Sequence, residues 1–343
     1  MRALATAALV VGLSLVGAAG VAAQPKAPSD ACTVADKRLG ELSGLVADGE
    51  RWYAVNDGGT KSSVYVLTKD CAVEKVINGP TDPFDVEDLA RGADGTFWLA
   101  DTGDNDKKRA TVALIALTPT GKSTLFRLTY PDGPHDTEAL LLDKNGTPYL
   151  VTKSPFGRAD VYRPVAGLVA PGPTALENVA SIQFSSTDTQ GGPISSAIGS
   201  VVVTGGSVSA DGKVVALRTY TDAYLYSAPD GDVVAALKRE AVRVPLPNEP
   251  QGEAVALEPD GTLVSASEGV GTPIRVVKGA AALLAPAAAH KDTRDDAARP
   301  GGAAAPAAAD NAGGLSTLPA IGFTVAAVGA VLLVMHRRAA RRS

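Results

Sequence analysis

From about residue 30 to residue 280 the apolar residues do not recur at helical spacing. They come in short runs rich in Val, Leu, Tyr and Thr, interrupted by Asp-Gly and Asn-Gly pairs, the pattern of strands joined by tight turns. Aligned on those turns, the chain shows five copies of one phrase: "SGLVADGERWYAVND" from Ser43, "EDLARGADGTFWLADTG" from Glu87, "EALLLDKNGTPYLVTKS" from Glu138, "TGGSVSADGKVVALRTY" from Thr204 and "EAVALEPDGTLVSASEG" from Glu253. In the last four, the first residue stands eight places before the turn glycine, Gly95, Gly146, Gly212 or Gly261. The first copy is shorter, and Glu41 satisfies the count whereas Ser43 satisfies the pattern. Each copy predicts a strand, a turn and a returning strand.

Further strand-like runs follow each copy, among them "SSVYVLTKDCAVEKVING" and "ATVALIALTPTGKSTLFRL". A four-stranded unit that cannot bury both faces by itself, repeated in register, predicts an all-β fold of the β-propeller type with five visible blades. The long interval between the third and fourth copies leaves room for a sixth. Only "PIRVVKG" follows the last copy, so the strand missing there is expected from the segment near Cys32, closing the ring. A twisted β-sandwich is the alternative. Trp52, Tyr53, Phe97 and Trp98 fall on second strands and are expected between blades rather than on a ligand platform.

In such a ring the start of each first strand and the end of each second strand share one rim. That gathers Glu41, Ser43, Glu87, Glu138, Thr204 and Glu253 near the channel mouth. Asn56, Asp57, Asp101, Asp104, Lys153, Arg218, Asp222 and Glu268 are placed in the surrounding loops. Glu87, Glu138, Glu253, Asp101 and Asp104 are hard oxygen donors of the kind Ca²⁺ accepts in flexible geometry. Alternatively, Lys153 and Arg218 neutralise the carboxylates in an ion-pair network that spaces the blades.

Net charge changes the picture only by exclusion: −5 overall, with no basic stripe, argues against a nucleic-acid partner. Of three histidines, His290 and His336 lie outside the repeat region, which excludes a multi-His zinc centre. His135, in "PDGPHDTEALL" beside Glu138, is a candidate general base or phosphate-binding group, or a loop histidine bonded to a neighbour. No Gly-x-Ser-x-Gly elbow marks a serine hydrolase in the mature domain. If the protein is an enzyme, Glu138, His135, Lys153 and Arg218 are the candidate catalytic groups.

The ends predict a compartment. Residues 1–23 carry Arg2, an apolar run and a small-residue end, the layout of a cleaved secretory signal. Residues 24–280 are the expected extracytoplasmic propeller, and 281–314 an Ala/Pro-rich flexible stalk. Residues 315–336 hold an apolar stretch fit for a single transmembrane helix, and 337–343 form a basic tail that resists translocation. The protein is therefore expected at the cell membrane with its N-terminal domain on the external face, meeting an extracellular ligand or protein. Leu318 to Gly322, "LPAIG", resembles the LPxTG signal of sortase substrates, with Ile321 in place of Thr, so cell-wall anchoring is the alternative. On the external side Cys32 and Cys71 are expected to form a disulfide, with two free, buried thiols as the alternative.

The phrases "ELSGL…YAVND", "DVEDLA…LADTGDN", "PHDTEALLLD", "VTGGSVSADGKVVALRTYTDAY" and "QGEAVALEPDG…SEG" together resemble the secreted propeller proteins of high-GC Gram-positive bacteria related to the esterase-like, phytase-like group. The resemblance covers most of residues 35 to 275. It implies a propeller with a cation-capable acidic mouth and, by extension, Ca²⁺-dependent hydrolysis of carboxylic or phosphoric esters. Two functions are thus expected: ligand or partner binding at the mouth, or metal-dependent ester hydrolysis.

Overall fold

A computed structural model describes residues 25–285. The expected leader at 1–23, nearly all of the expected stalk, the apolar span and the basic tail lie outside the described residues. Among the described residues no helix is long and apolar enough to cross a membrane.

Strand β1 (Ser29–Thr33) is the first element among the described residues. The first blade is β2 (Leu42–Ala47), β3 (Trp52–Asn56), β4 (Ser63–Leu67) and β5 (Val73–Asn78). The second is β6 (Val86–Arg91), β7 (Phe97–Asp101), β8 (Val112–Leu117) and β9 (Ser123–Thr129). The third is β10 (Thr137–Leu142), β11 (Pro148–Thr152), β12 (Arg158–Pro164) and β13 (Thr174–Gln183). The fourth is β14 (Val203–Val208), β15 (Val214–Thr219), β16 (Asp222–Ser227) and β17 (Val242–Pro245). The fifth is β18 (Gly252–Leu257), β19 (Leu263–Ser267) and β20 (Pro273–Val277), completed by β1, which pairs antiparallel with β20. The inner strands β2, β6, β10, β14 and β18 pack in that order, and β18 returns to β2, so the ring is closed.

Among the described residues the blades number five, and the interval with room for a sixth does not hold one. After β13 it contains a polar crossing and one short helix, α1 (Ser196–Gly199). Residues 184–195 lack apolar alternation, and the hydroxyls of Thr187 and Thr189 instead anchor the crossing to the buried carboxylate of Asp222, at 2.8 Å each. The second and third blades are further joined by parallel pairing of β13 with β9, making one eight-stranded sheet.

Apolar side chains fill the seams between neighbouring blades. In β6, Leu89 packs toward the first blade and the next residue, Ala90, toward the third. Both faces of a blade are therefore buried, which explains why the strands read as nearly continuous apolar runs. Trp52, Tyr53 and Phe97 are buried in these seams as expected, and Trp98 is half-buried against one. At the far end of each inner hairpin a turn glycine takes positive φ, for example +83° at Gly95 and +80° at Gly261, which is why glycine recurs at that place.

The closing strand is secured twice, by its pairing with β20 and by the disulfide between Cys32 and Cys71, in the β4–β5 turn of the first blade. The folded body continues past residue 280 through a short 3-10 turn, Ala281–Leu284, whose Leu283 and Leu284 pack on the seam between the fourth and fifth blades.

Candidate functional site: the acidic mouth of the channel

One irregularity recurs in all five inner strands. The pairing with the second strand shifts register between Leu42 and Gly44, Val86 and Asp88, Thr137 and Ala139, Val203 and Gly205, and Gly252 and Ala254. The extra residue is Ser43, Glu87, Glu138, Thr204 or Glu253. A bulge leaves a residue out of the ladder and re-aims its side chain. These are the positions the sequence repeat selected, and Ser43 rather than Glu41 is the equivalent in the first copy.

Two of the five are hydroxyl residues, and each ties its blade to the next. Ser43 Oγ donates to Val86 O and Thr204 Oγ1 to Gly252 O, both at 2.8 Å. Blades approach closely here: a Cβ on Gly205 would lie 2.2 Å from Glu253 O. The second blade has a glutamate at the bulge, and Thr102 Oγ1 supplies the corresponding bond, to Thr137 O at 2.7 Å. The three glutamates are left at the mouth.

Carboxylate oxygens of Glu87, Asp136 and Glu138 lie within 4.8 Å of one another, and all three residues are buried. Lys153 Nζ stands 2.7 Å from Glu138 Oε1 and 5.8 Å from the ring centre of Tyr220. Burial, opposed by Lys153, pushes Glu138 up to about 8. Burial also raises Glu87 and Glu253, with the charge of Glu138 adding to each. Burial disfavours charge on Lys153, yet Glu138 and Asp136 outweigh it and hold the ammonium well above its ordinary value. Beside them Asp57 is raised to about 9, first by burial and then by the neighbouring carboxyl of Asp85. Gly103 lies under this group: a Cβ there would fall 2.1 Å from Glu87 Oε1 and 2.3 Å from Asp85 Oδ2.

The other expected ligands and catalytic groups reach the same rim with different engagements. Asp101 Oδ1 accepts the backbone N–H of Phe84 and Asp85 and pairs with Arg109 at 3.0 Å. Asp104 accepts the N–H of Lys108 and Arg109. Asp101 therefore ties the β5–β6 connection to Arg109, and Asp104 shapes the loop between β7 and β8, rather than joining the central three. His135 Nε2 meets Asp132 Oδ1 at 3.0 Å and the Tyr162 hydroxyl at 3.1 Å, and its ring lies edge-on to Tyr130.

Arg218 is engaged between two blades, as the ion-pair alternative expects, rather than presented to a ligand. It is 0% exposed, and its guanidinium donates to the carbonyls of Thr219, Ala254, Ala266 and Tyr220 and to Glu249 Oε2 at 2.9 Å. All five donors are engaged, so it joins the fourth blade to the fifth and has none left for a ligand.

Asp136, Asp85, Tyr220 and Glu249 were missed. The signal for the first two was present: Asp85-Val86-Glu87 and Asp136-Thr137-Glu138 repeat one D-x-E spacing, which places both carboxylates of a pair on one side of an extended chain. Asp88 carries a different role. Its carboxylate accepts the N–H of Leu89 and Leu140 at 2.8 Å and of Gly206 at 3.0 Å, gathering the second, third and fourth blades. Burial pushes it up, against these three backbone donors.

No protein-family model matches the chain, and no curated protein matches it. Among solved structures it is similar to a gluconolactonase from Xanthomonas campestris (15% identity over 69% of this chain and 71% of that one, TM-score 0.39). It is also similar to the PQQ-bound aldose sugar dehydrogenase of Streptomyces coelicolor (10%, 74% and 99%, 0.39). A third is the virginiamycin B lyase of Staphylococcus aureus (12%, 73% and 73%, 0.36). Likeness at this level assigns neither family nor activity.

Proposed function

We propose that this propeller is a binding protein whose acidic mouth captures a cation, and through it a ligand or partner, at the outer face of a membrane to which the apolar span at 315–336 anchors it. The observation that carries the reading is the convergence of Glu87, Asp136 and Glu138 within 4.8 Å, with Glu87 taking no hydrogen bond or ion pair from any described residue. Buried carboxylates that close repel one another unless protonated or bridged by positive charge.

The donor set fits Ca²⁺: Glu87, Asp136 and Glu138 offer hard oxygens and Glu253 stands near enough to feel Glu138. Calcium titration followed by thermal melting tests the reading. A rise in Tm that disappears in Glu87→Gln supports it; no cation of any kind bound by the full chain removes it.

A second reading, a Ca²⁺-dependent ester or phosphoester hydrolase, is favoured by Lys153, whose ammonium sits beside Glu138. A bound divalent cation would supply Lewis acidity toward an ester or phosphoryl oxygen. Lys153 would steady negative charge developing nearby. Turnover of generic esters or phosphoesters that is lost in Glu138→Gln with the fold intact would establish it.

A further inference from the structure

Two of the chain's own cations on this rim are held in the same way. Lys153 pairs with Glu138 and faces the ring of Tyr220. Arg109 pairs with Asp101 and lies 4.6 Å from the ring centre of Phe84. In both, an organic cation has a carboxylate on one side and an aromatic face on another, the arrangement that favours ammonium and guanidinium groups. Glu87 offers a third carboxylate, 9% exposed and without a hydrogen bond from any described residue, against Gly103 beside Asp85.

The rim around it also carries exposed apolar side chains. Phe84, next to Asp85, is 71% exposed although its N–H is fixed by Asp101 and its ring by Arg109. Phe156, in the loop after Lys153, is 84% exposed, and Val270 lies in the corresponding loop of the fifth blade. Among the described residues the two exposed phenylalanines thus belong to the acidic rim. Exposed aromatics around a charged centre mark an interaction surface.

We propose that the occupant is a polypeptide segment of a partner carrying an Arg or Lys flanked by apolar residues: its cationic group enters beside Glu87 and Asp85, and its apolar neighbours lie on Phe84 and Phe156. The proposal rests on the mouth being a cation site and names the cation. Charge complementarity supplies the centre and aromatic contact the flanks.

The test uses the full chain and two fluorescent peptides, acetyl-Phe-Arg-Phe-amide and the same peptide with uncharged citrulline for Arg, with CaCl₂ as the inorganic comparison. The Arg peptide should bind at least tenfold more tightly than the citrulline peptide. Phe84→Ala should weaken it several-fold while leaving Tm unchanged, and Glu87→Gln should abolish the preference for Arg. Calcium stabilisation with equal or no binding of the two peptides overturns the proposal and leaves the cation site standing. Absence of both overturns both. Binding of the Arg peptide that is indifferent to Phe84→Ala and Phe156→Ala overturns the proposed contacts.

Discussion

The two ends of the channel are lined by the same residue class in opposite states. At the turn end, Asp94, Asp143, Asp211 and Asp260 each accept a backbone N–H from their own turn, from Thr96, Asn145, Lys213 and Thr262 at 2.8–3.0 Å. The N–H of Thr96 holds Asp94 below the usual carboxylate range, that of Thr262 does the same for Asp260, and the Ser209 hydroxyl leads for Asp211. At the bulged end, Glu87, Glu138 and Glu253 are pushed up by burial. An acid supplied with backbone donors is architecture; Glu87, which takes no hydrogen bond from any described residue, is available to a ligand.

Asp88 gives the strongest check on that distinction, because it lies next to Glu87 yet is satisfied like the turn acids. Asp88→Ala would leave three buried N–H groups without acceptors, and urea denaturation should show a loss of about 3–5 kcal/mol. The two ends should next separate by pH. Glu138, at about 8, and Asp57, at about 9, hold protons in the folded state that the unfolded chain releases. Their contribution is complete below the unfolded carboxylate pKa of about 4 and is lost as pH rises from there through 8 to 9, so Tm should fall over that interval and level off above it. Asp94, Asp211 and Asp260 act in the reverse sense and lose their contribution only below about pH 4. A saturating cation should flatten the fall with rising pH if it binds the mouth. Asp143→Ala or Asp260→Ala should each cost about 1 kcal/mol. Glu87→Gln should cost the least, between about 0 and 1 kcal/mol of either sign, since it removes a desolvated charge that no described residue pairs with. A large loss in Glu87→Gln would break the comparison.

Much of this arrangement was legible in the sequence because the repeat marks each hairpin twice, by its turn and by its first residue. The convergence of Glu87, Glu138 and Glu253 follows from that alone. Counting back from the turn glycine failed at the first copy because its hairpin is shorter: Ala47 pairs with Trp52, whereas Arg91 pairs with Phe97. Asp85 and Asp136 lie just before their strands, in connections that periodicity does not describe. Arg218 shows the limit of reading charge as chemistry, since its acceptors are mostly backbone carbonyls, which no sequence pattern displays. The polar crossing before α1 owes its place to Asp222 rather than to apolar spacing.

The pairing of β1 with β20 also determines how the mouth is presented. Ser29 enters the ring opposite Val276, and after β20 the chain bonds through Ala281 N–H to Gly261 O in an inner-hairpin turn, so both strands of the closure open onto the turn end. Anything attached through residue 285 leaves from the side opposite Glu87 and Glu138. A short tether there would leave the acidic mouth on the side away from the point of attachment.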